Sequence, residues 1–104
     1  MMIARWSIDA KFGYKEDAIA LLKRWMEEVA PQVGLEAGKM RLLTGSVGAL
    51  EATLVAEHLV ADLAELDAVW AKLASLDAHR RWGKELEPLV VSGTSKWEIY
   101  RLLG

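Results

Sequence analysis

The chain has 104 residues, of which 53% are hydrophobic, with five tryptophans, no cysteine, and 13 basic against 15 acidic side chains for a formal charge of −2. That length fits a single domain over residues 1–104. The absence of cysteine excludes disulfides, thiolate metal sites and cysteine nucleophiles, and the near-neutral balance offers no clustered basic face for nucleic acid.

The N-terminal run MMIARWSIDAKF is interrupted by Arg5, Ser7 and Asp9, unlike a signal peptide, and no stretch approaches the roughly 20 apolar residues of a membrane span. A soluble, cytoplasmic protein with no membrane partner is expected. Its apolar fraction exceeds what a lone small domain hides, which suggests a second copy as partner.

Residues 3–12, IARWSIDAKF, alternate strictly. Ile3, Arg5, Ser7, Asp9 and Lys11 point one way, and Ala4, Trp6, Ile8, Ala10 and Phe12 the other, the period of a half-buried strand that Gly13 ends. The next segment, 14–34, reads as a helix with Ala18, Leu21, Leu22, Trp25 and Val29 on one stripe and Pro31 and Gly34 closing it. KMRLLTGS and LEATLVAEH then form two strands turning at Val47-Gly48-Ala49. In the second of them Leu50, Ala52, Leu54 and Ala56 oppose Glu51, Thr53, Val55 and Glu57. A second amphipathic helix carries Leu63, Leu66, Val69, Trp70 and Leu73, with Asp62 and Glu65 in capping-box positions. Asp77 is placed to cap a short continuation whose Trp82 and Leu86 face inward, and Pro88 stops it. The closing SKWEIYRLL alternates again, Trp97 and Ile99 opposing Lys96, Glu98 and Tyr100.

This β-α-β-β-α-β order implies an α+β, ferredoxin-like sandwich, an antiparallel four-stranded sheet with the helices on one face. The polar strand residues Arg5, Ser7, Asp9, Glu51, Thr53, Lys96, Glu98 and Tyr100, with Arg41, then share the face away from the helices. Burying unpaired charges there would cost several kcal/mol each, so they must pair, meet water, or meet a polar ligand. Glu51 and Glu98 could serve as paired carboxylates, although cross-strand pairing with Arg5, Arg41 or Lys96 is the simpler use.

The Ser-Gly-Thr-Ser cluster at 92–95 leads from a helix end into a strand, the reverse of a phosphate-binding loop, and lacks the Gly-x-Ser-x-Gly of a nucleophile elbow. It is a turn. His58 and His79 have no metal-ligand spacing, so no metal is implied. His79 sits beside two arginines, where a solvated side chain is the ordinary outcome. His58 lies on the apolar side of its strand. The five tryptophans are either core or the lining of an aromatic pocket, with Trp82 best placed to edge one.

The segments LTGSVGALEATLVAEHLVADLAELDAVWAKL and RRWGKELEPLVVSGTSKWEIYRLL resemble the NIPSNAP-like members of the dimeric α/β-barrel superfamily. The likeness rests on the Leu-Thr-Gly hairpin entry, Glu57 near the end of its strand, the aromatic-rich second helix pair, and the Pro-Leu-Val-x-Ser-Gly-x-Ser run before Glu-Ile-Tyr-Arg. The wider superfamily holds monooxygenases, haem-degrading enzymes and peroxidases, so the resemblance implies a fold more than an activity. It implies a homodimer whose barrel or sheet–helix pocket takes a small organic ligand, with Arg5, Arg41, Glu51, Thr53, His79, Trp82, Glu98 and Tyr100 as binding candidates and no cofactor. The alternatives are a cofactor-independent monooxygenase, with His79 or Tyr100 aimed at substrate, and a purely structural dimer.

Overall fold

The alternating runs pair into one antiparallel sheet, seen in a computed structural model that describes residues 1–104. In chain order the elements are β1 (Met2–Asp9), α1 (Lys15–Glu28), β2 (Met40–Thr44), β3 (Thr53–Val60), α2 (Leu63–Ser75), α3 (Asp77–Leu86) and β4 (Lys96–Arg101), with short tight-helical turns at Ala30–Val33, Ala37–Lys39 and Glu87–Leu89. The strand order is β2-β3-β1-β4. This is the ferredoxin-like α+β arrangement, with α3 added after the second helix.

The register fixes which side chains meet. Across β1 and β3, Arg5 stands opposite Glu57, Trp6 opposite Ala56, and Ile8 opposite Leu54. On one side β4 sets Trp97 against Trp6 and Glu98 against Arg5. On the other, β2 sets Arg41 against Glu57. Period two then sorts the sheet into a helix-covered face, holding Ala4, Trp6, Ile8, Leu54, Ala56, His58 and Trp97, and a bare face holding the residues between them.

Local chemistry sets the helix ends. Asp62 accepts from the Glu65 backbone N–H at 2.8 Å, and the Glu65 carboxylate reaches back to the Ala61 N–H, a reciprocal cap that starts α2 where the sequence places it. Gly34, at φ +82°, reverses the chain after the Pro31 turn, a left-handed backbone that favours glycine.

Four expectations are corrected. Phe12 is fully exposed, because β1 has already ended and Phe12 lies in the turn at Gly13. Leu63, the first residue of α2, is exposed and off the buried stripe of Leu66, Val69 and Leu73. Asp77 makes no cap; it pairs instead with Arg80 and Arg81 in the first turn of α3. The β2–β3 connection is longer than a three-residue turn, and β3 begins only at Thr53. Gly45 lies so close under the Leu50 carbonyl that a Cβ would stand 1.7 Å from its oxygen, which explains the glycine there.

The core falls into three groups. Ile8, Ala18, Leu22, Leu54, Trp82 and Leu86 pack toward one end of the sheet. Ala4, Val60 and Leu66 pack toward the other. Val29, Val33, Met40, Val69 and Leu73 pack where the two long helices approach β2. A gap remains among these groups.

Candidate functional site

That gap is a cavity of ≈ 460 Å³ between the helices and the sheet, and all five tryptophans line it. Its floor is built by β1, β3 and β4 from Trp6, Ala56, His58 and Trp97. Ala56, short and central, leaves the space that a larger residue would fill. The walls come from Leu22 and Trp25 of α1, Val69, Trp70 and Leu73 of α2, and His79, Trp82 and Leu86 of α3. No Asp, Glu, Lys or Arg lines it. The volume lies in the range of small-molecule pockets, about 300–1,000 Å³.

Three tryptophans are tethered through their indole N–H groups, as amphipathic rings in a core ordinarily are. Trp82 donates to the Leu21 carbonyl at 2.7 Å, Trp25 to His79 Nδ1 at 2.9 Å, and Trp6 to Ser95 Oγ at 3.0 Å. The last bond gives the Ser-Gly-Thr-Ser turn a structural duty, as does the Asp9 N–H donating to Thr94 Oγ1 at 3.0 Å. Trp70 and Trp97 stand edge to face with centroids 5.2 Å apart, each more than a third exposed, and so mark the mouth.

Both histidines belong to this cavity. His79 is not a solvated member of a charged run: α3 carries Arg80 and Arg81 on its outer side, while the His79 ring stacks on Trp82 with centroids 5.8 Å apart. Because His79 Nδ1 accepts the hydrogen bond from the Trp25 indole N–H, the neutral ring carries its own proton on Nε2. His58 is buried, lies edge-on to Trp97 at 5.8 Å, and has no protein partner for either ring nitrogen. Burial pushes both imidazoles below the usual histidine value.

The sign of the resulting pH dependence follows. The folded chain resists a proton that the unfolded chain accepts near the ordinary pKa of about 6.5, so this contribution is intact above that value and lost as pH falls through it. The unfolding free energy is expected to decline from pH ~7 to pH ~5. Denaturant melts across that window check it, and a flat profile contradicts it.

The bare face holds a second constellation. Glu57, its side chain only 3% exposed, accepts from Arg5 Nε through Oε1 and from Arg41 Nε through Oε2, both at 2.7 Å. Burial alone would raise the Glu57 carboxyl, but the hydrogen bonds and charges of Arg41 and Arg5 outweigh it and hold it below the ordinary value. The Arg5 guanidinium lies 5.1 Å over the Tyr100 ring, Tyr100 Oη donates to Glu98 at 3.1 Å, and Lys96 stands 3.7 Å from Glu98. A polar chain thus crosses all four strands.

The eight sequence candidates therefore divide. His79 and Trp82 line the aromatic cavity. Arg5, Arg41, Glu98 and Tyr100 lie on the bare face, as does Thr53, whose hydroxyl donates to Asp9 at 2.6 Å. Glu51 joins neither group. It sits exposed in the hairpin loop, 4.0 Å from Lys15, because β3 starts two residues after it. The acid that pairs with the arginines is Glu57, and its signal was strand parity, which it shares with Arg5 and Arg41. The bare face is also less polar than the parity argument implied, since Ile3, Leu43, Val55 and Leu59 lie among the charges.

Fold and cavity together define a ferredoxin-like α+β protein with an aromatic pocket under its helices, the fold shared by NIPSNAP proteins and antibiotic-biosynthesis monooxygenases. A NIPSNAP family protein from Agrobacterium tumefaciens is similar over 98% of this chain and 85% of its own, at 16% identity and TM-score 0.81. A NIPSNAP-like domain protein from Burkholderia xenovorans matches 98% of this chain and 84% of its own at 16% identity, TM-score 0.76. SnoaB, a cofactor-independent oxygenase from Streptomyces nogalater, covers 97% of this chain and 92% of its own at 14% identity, TM-score 0.66. No protein-family model and no curated protein sequence matches the chain. The structural likenesses agree with the family that the sequence resembles, and at such identities they establish the fold.

Proposed function

We propose that the protein works as a homodimer that binds a flat, uncharged, largely apolar small molecule in the tryptophan-lined cavity. The observation that carries this reading is the convergence of every tryptophan in the chain on one cavity without a charged side chain. Indole rings offer broad, rigid faces to an aromatic ligand at little entropic cost, and the absence of lining charges disfavours an ion. The dimer is supported by the bare sheet face, where Ile3, Leu43, Val55 and Leu59 surround the Arg5–Glu57–Arg41 cluster and no element of the chain covers them. A second copy placed there buries the apolar residues while the charges are already paired.

One sedimentation experiment tests both halves. With the neutral naphthalene dye Prodan present at micromolar protein, dye absorbance is expected to travel with a species of twice the 11.6 kDa chain mass. Dye left unsedimented overturns the cavity reading, and a lone 11.6 kDa species overturns the dimer.

Cofactor-independent oxygenation is the second reading. It is favoured by His79, which presents a polar group in the wall of a largely apolar pocket, on a fold shared with SnoaB. Tyr100 takes no part in that reading, because it lies on the opposite face of the sheet.

A further inference from the structure

The cavity contains one feature that an apolar ligand alone leaves unexplained. His58 is 4% exposed, lines the cavity from the floor, and neither of its ring nitrogens has a protein partner. Burying an imidazole in this way is costly, whereas a leucine at the same strand position would pack without penalty. A neutral imidazole offers one N–H donor and one bare nitrogen acceptor. The neighbouring histidine cannot satisfy it from its Nδ1 side, since that atom is occupied by the Trp25 N–H.

From this we infer that the ligand is a neutral planar aromatic bearing a hydroxyl group, a phenol in chemical class, whose hydroxyl hydrogen-bonds the His58 ring. The inference rests on the cavity reading and deepens it. A hydroxyl suits the site because it can donate to the bare imidazole nitrogen or accept from the protonated one, so either tautomer of His58 is served. A carboxylate does not suit it, because no Lys or Arg lines the cavity to compensate the buried charge. An unsubstituted hydrocarbon does not suit it either, because His58 would stay unpaired. The Trp97 ring, edge-on to His58 and 40% exposed, is the side chain that yields when the hydroxyl reaches the imidazole.

The test is a two-by-two cycle of ligand and variant. The affinities of 2-naphthol and of 2-methylnaphthalene, which match in shape, are measured for the natural chain and for His58→Leu by quenching of tryptophan fluorescence. The ratio of the two affinities cancels the hydrophobic transfer common to both proteins. It is expected to shift about tenfold against naphthol in the variant. An unchanged ratio overturns the assignment to His58, even when both compounds bind. Failure of both compounds to bind overturns the cavity reading itself. A measurement on the natural chain makes the test independent of whether His58→Leu folds. With 15N-labelled histidine, naphthol is expected to move the His58 ring-nitrogen resonances and methylnaphthalene to leave them near their free positions. Equal responses to the two compounds overturn the inference.

Discussion

Trp82→Ala is expected to lower the unfolding free energy by about 3–5 kcal/mol, the usual cost of truncating a large buried aromatic. Trp82 belongs to the core group at the Ile8–Leu54 end of the sheet, stacks on His79, and supplies the donor to the Leu21 carbonyl. Removing it opens a void beside a cavity that already exists and deletes the indole donor that ties α3 to the Leu21 carbonyl of α1. A domain of this size holds only about 5–15 kcal/mol in total, so the variant sits near the threshold of folding. Trp70→Ala, at the exposed mouth, is expected to cost under about 1 kcal/mol. Urea melts of the two variants give the comparison. Equal losses would contradict the division between a framework tryptophan and a mouth tryptophan.

Arg5→Met combined with Arg41→Met is expected to cost about 3–5 kcal/mol near pH 7, because it leaves the Glu57 carboxylate buried and uncompensated. Either single substitution costs less, since one guanidinium still holds the carboxylate. Adding Glu57→Leu to the double variant is expected to restore most of the loss, because an apolar residue replaces the stranded charge. In the natural chain the Glu57 carboxyl is held below its ordinary value. This stabilisation is therefore present at neutral pH and lost as pH falls below about 4.5, a second and more acidic step than the histidine one. Melts of the single, double and triple variants separate the cases. Small additive losses with no recovery in the triple would show that the cluster is a solvated surface pairing.

Much of this architecture is legible in the chain because alternation is a local property. Arg5, Glu98 and Tyr100 fall on one face and Trp6, Trp97 and Ile99 on the other by period two alone, and the pairing agrees. The β2–β3 loop was not legible. Leu50 and Glu51 continue the alternation of β3, and nothing in that pattern reveals that the chain doubles back tightly under Leu50 at Gly45. Parity sets Glu51 and Glu57 on one strand face, and Glu51 is therefore read as the acid facing the arginines, whereas the partner they find is Glu57, through a register that the loop length decides.

The cavity is harder still to read from sequence. Trp6 meets Trp97 through strand register, and Trp25 meets Trp82 and His79 through helix packing, so their convergence is a tertiary fact. His79 did carry a signal. The spacing of His79, Trp82 and Leu86 is helical and sets them on one inner face, but the adjacent arginines drew the reading toward solvent. His58 shares the parity of Leu54 and Ala56, which gave its face but not its lack of a partner.

The central claim is that a small aromatic ligand enters the space ringed by the five tryptophans. The most direct measurement is the 15N–1H spectrum of the indole N–H groups during titration with Prodan, assigned by single Trp→Phe variants. Saturable shifts at one dye per chain are expected, largest for Trp70 and Trp97 at the mouth and present for Trp6, Trp25 and Trp82 within. Indole signals that stay fixed while the dye binds elsewhere, or no binding at all, would contradict the account.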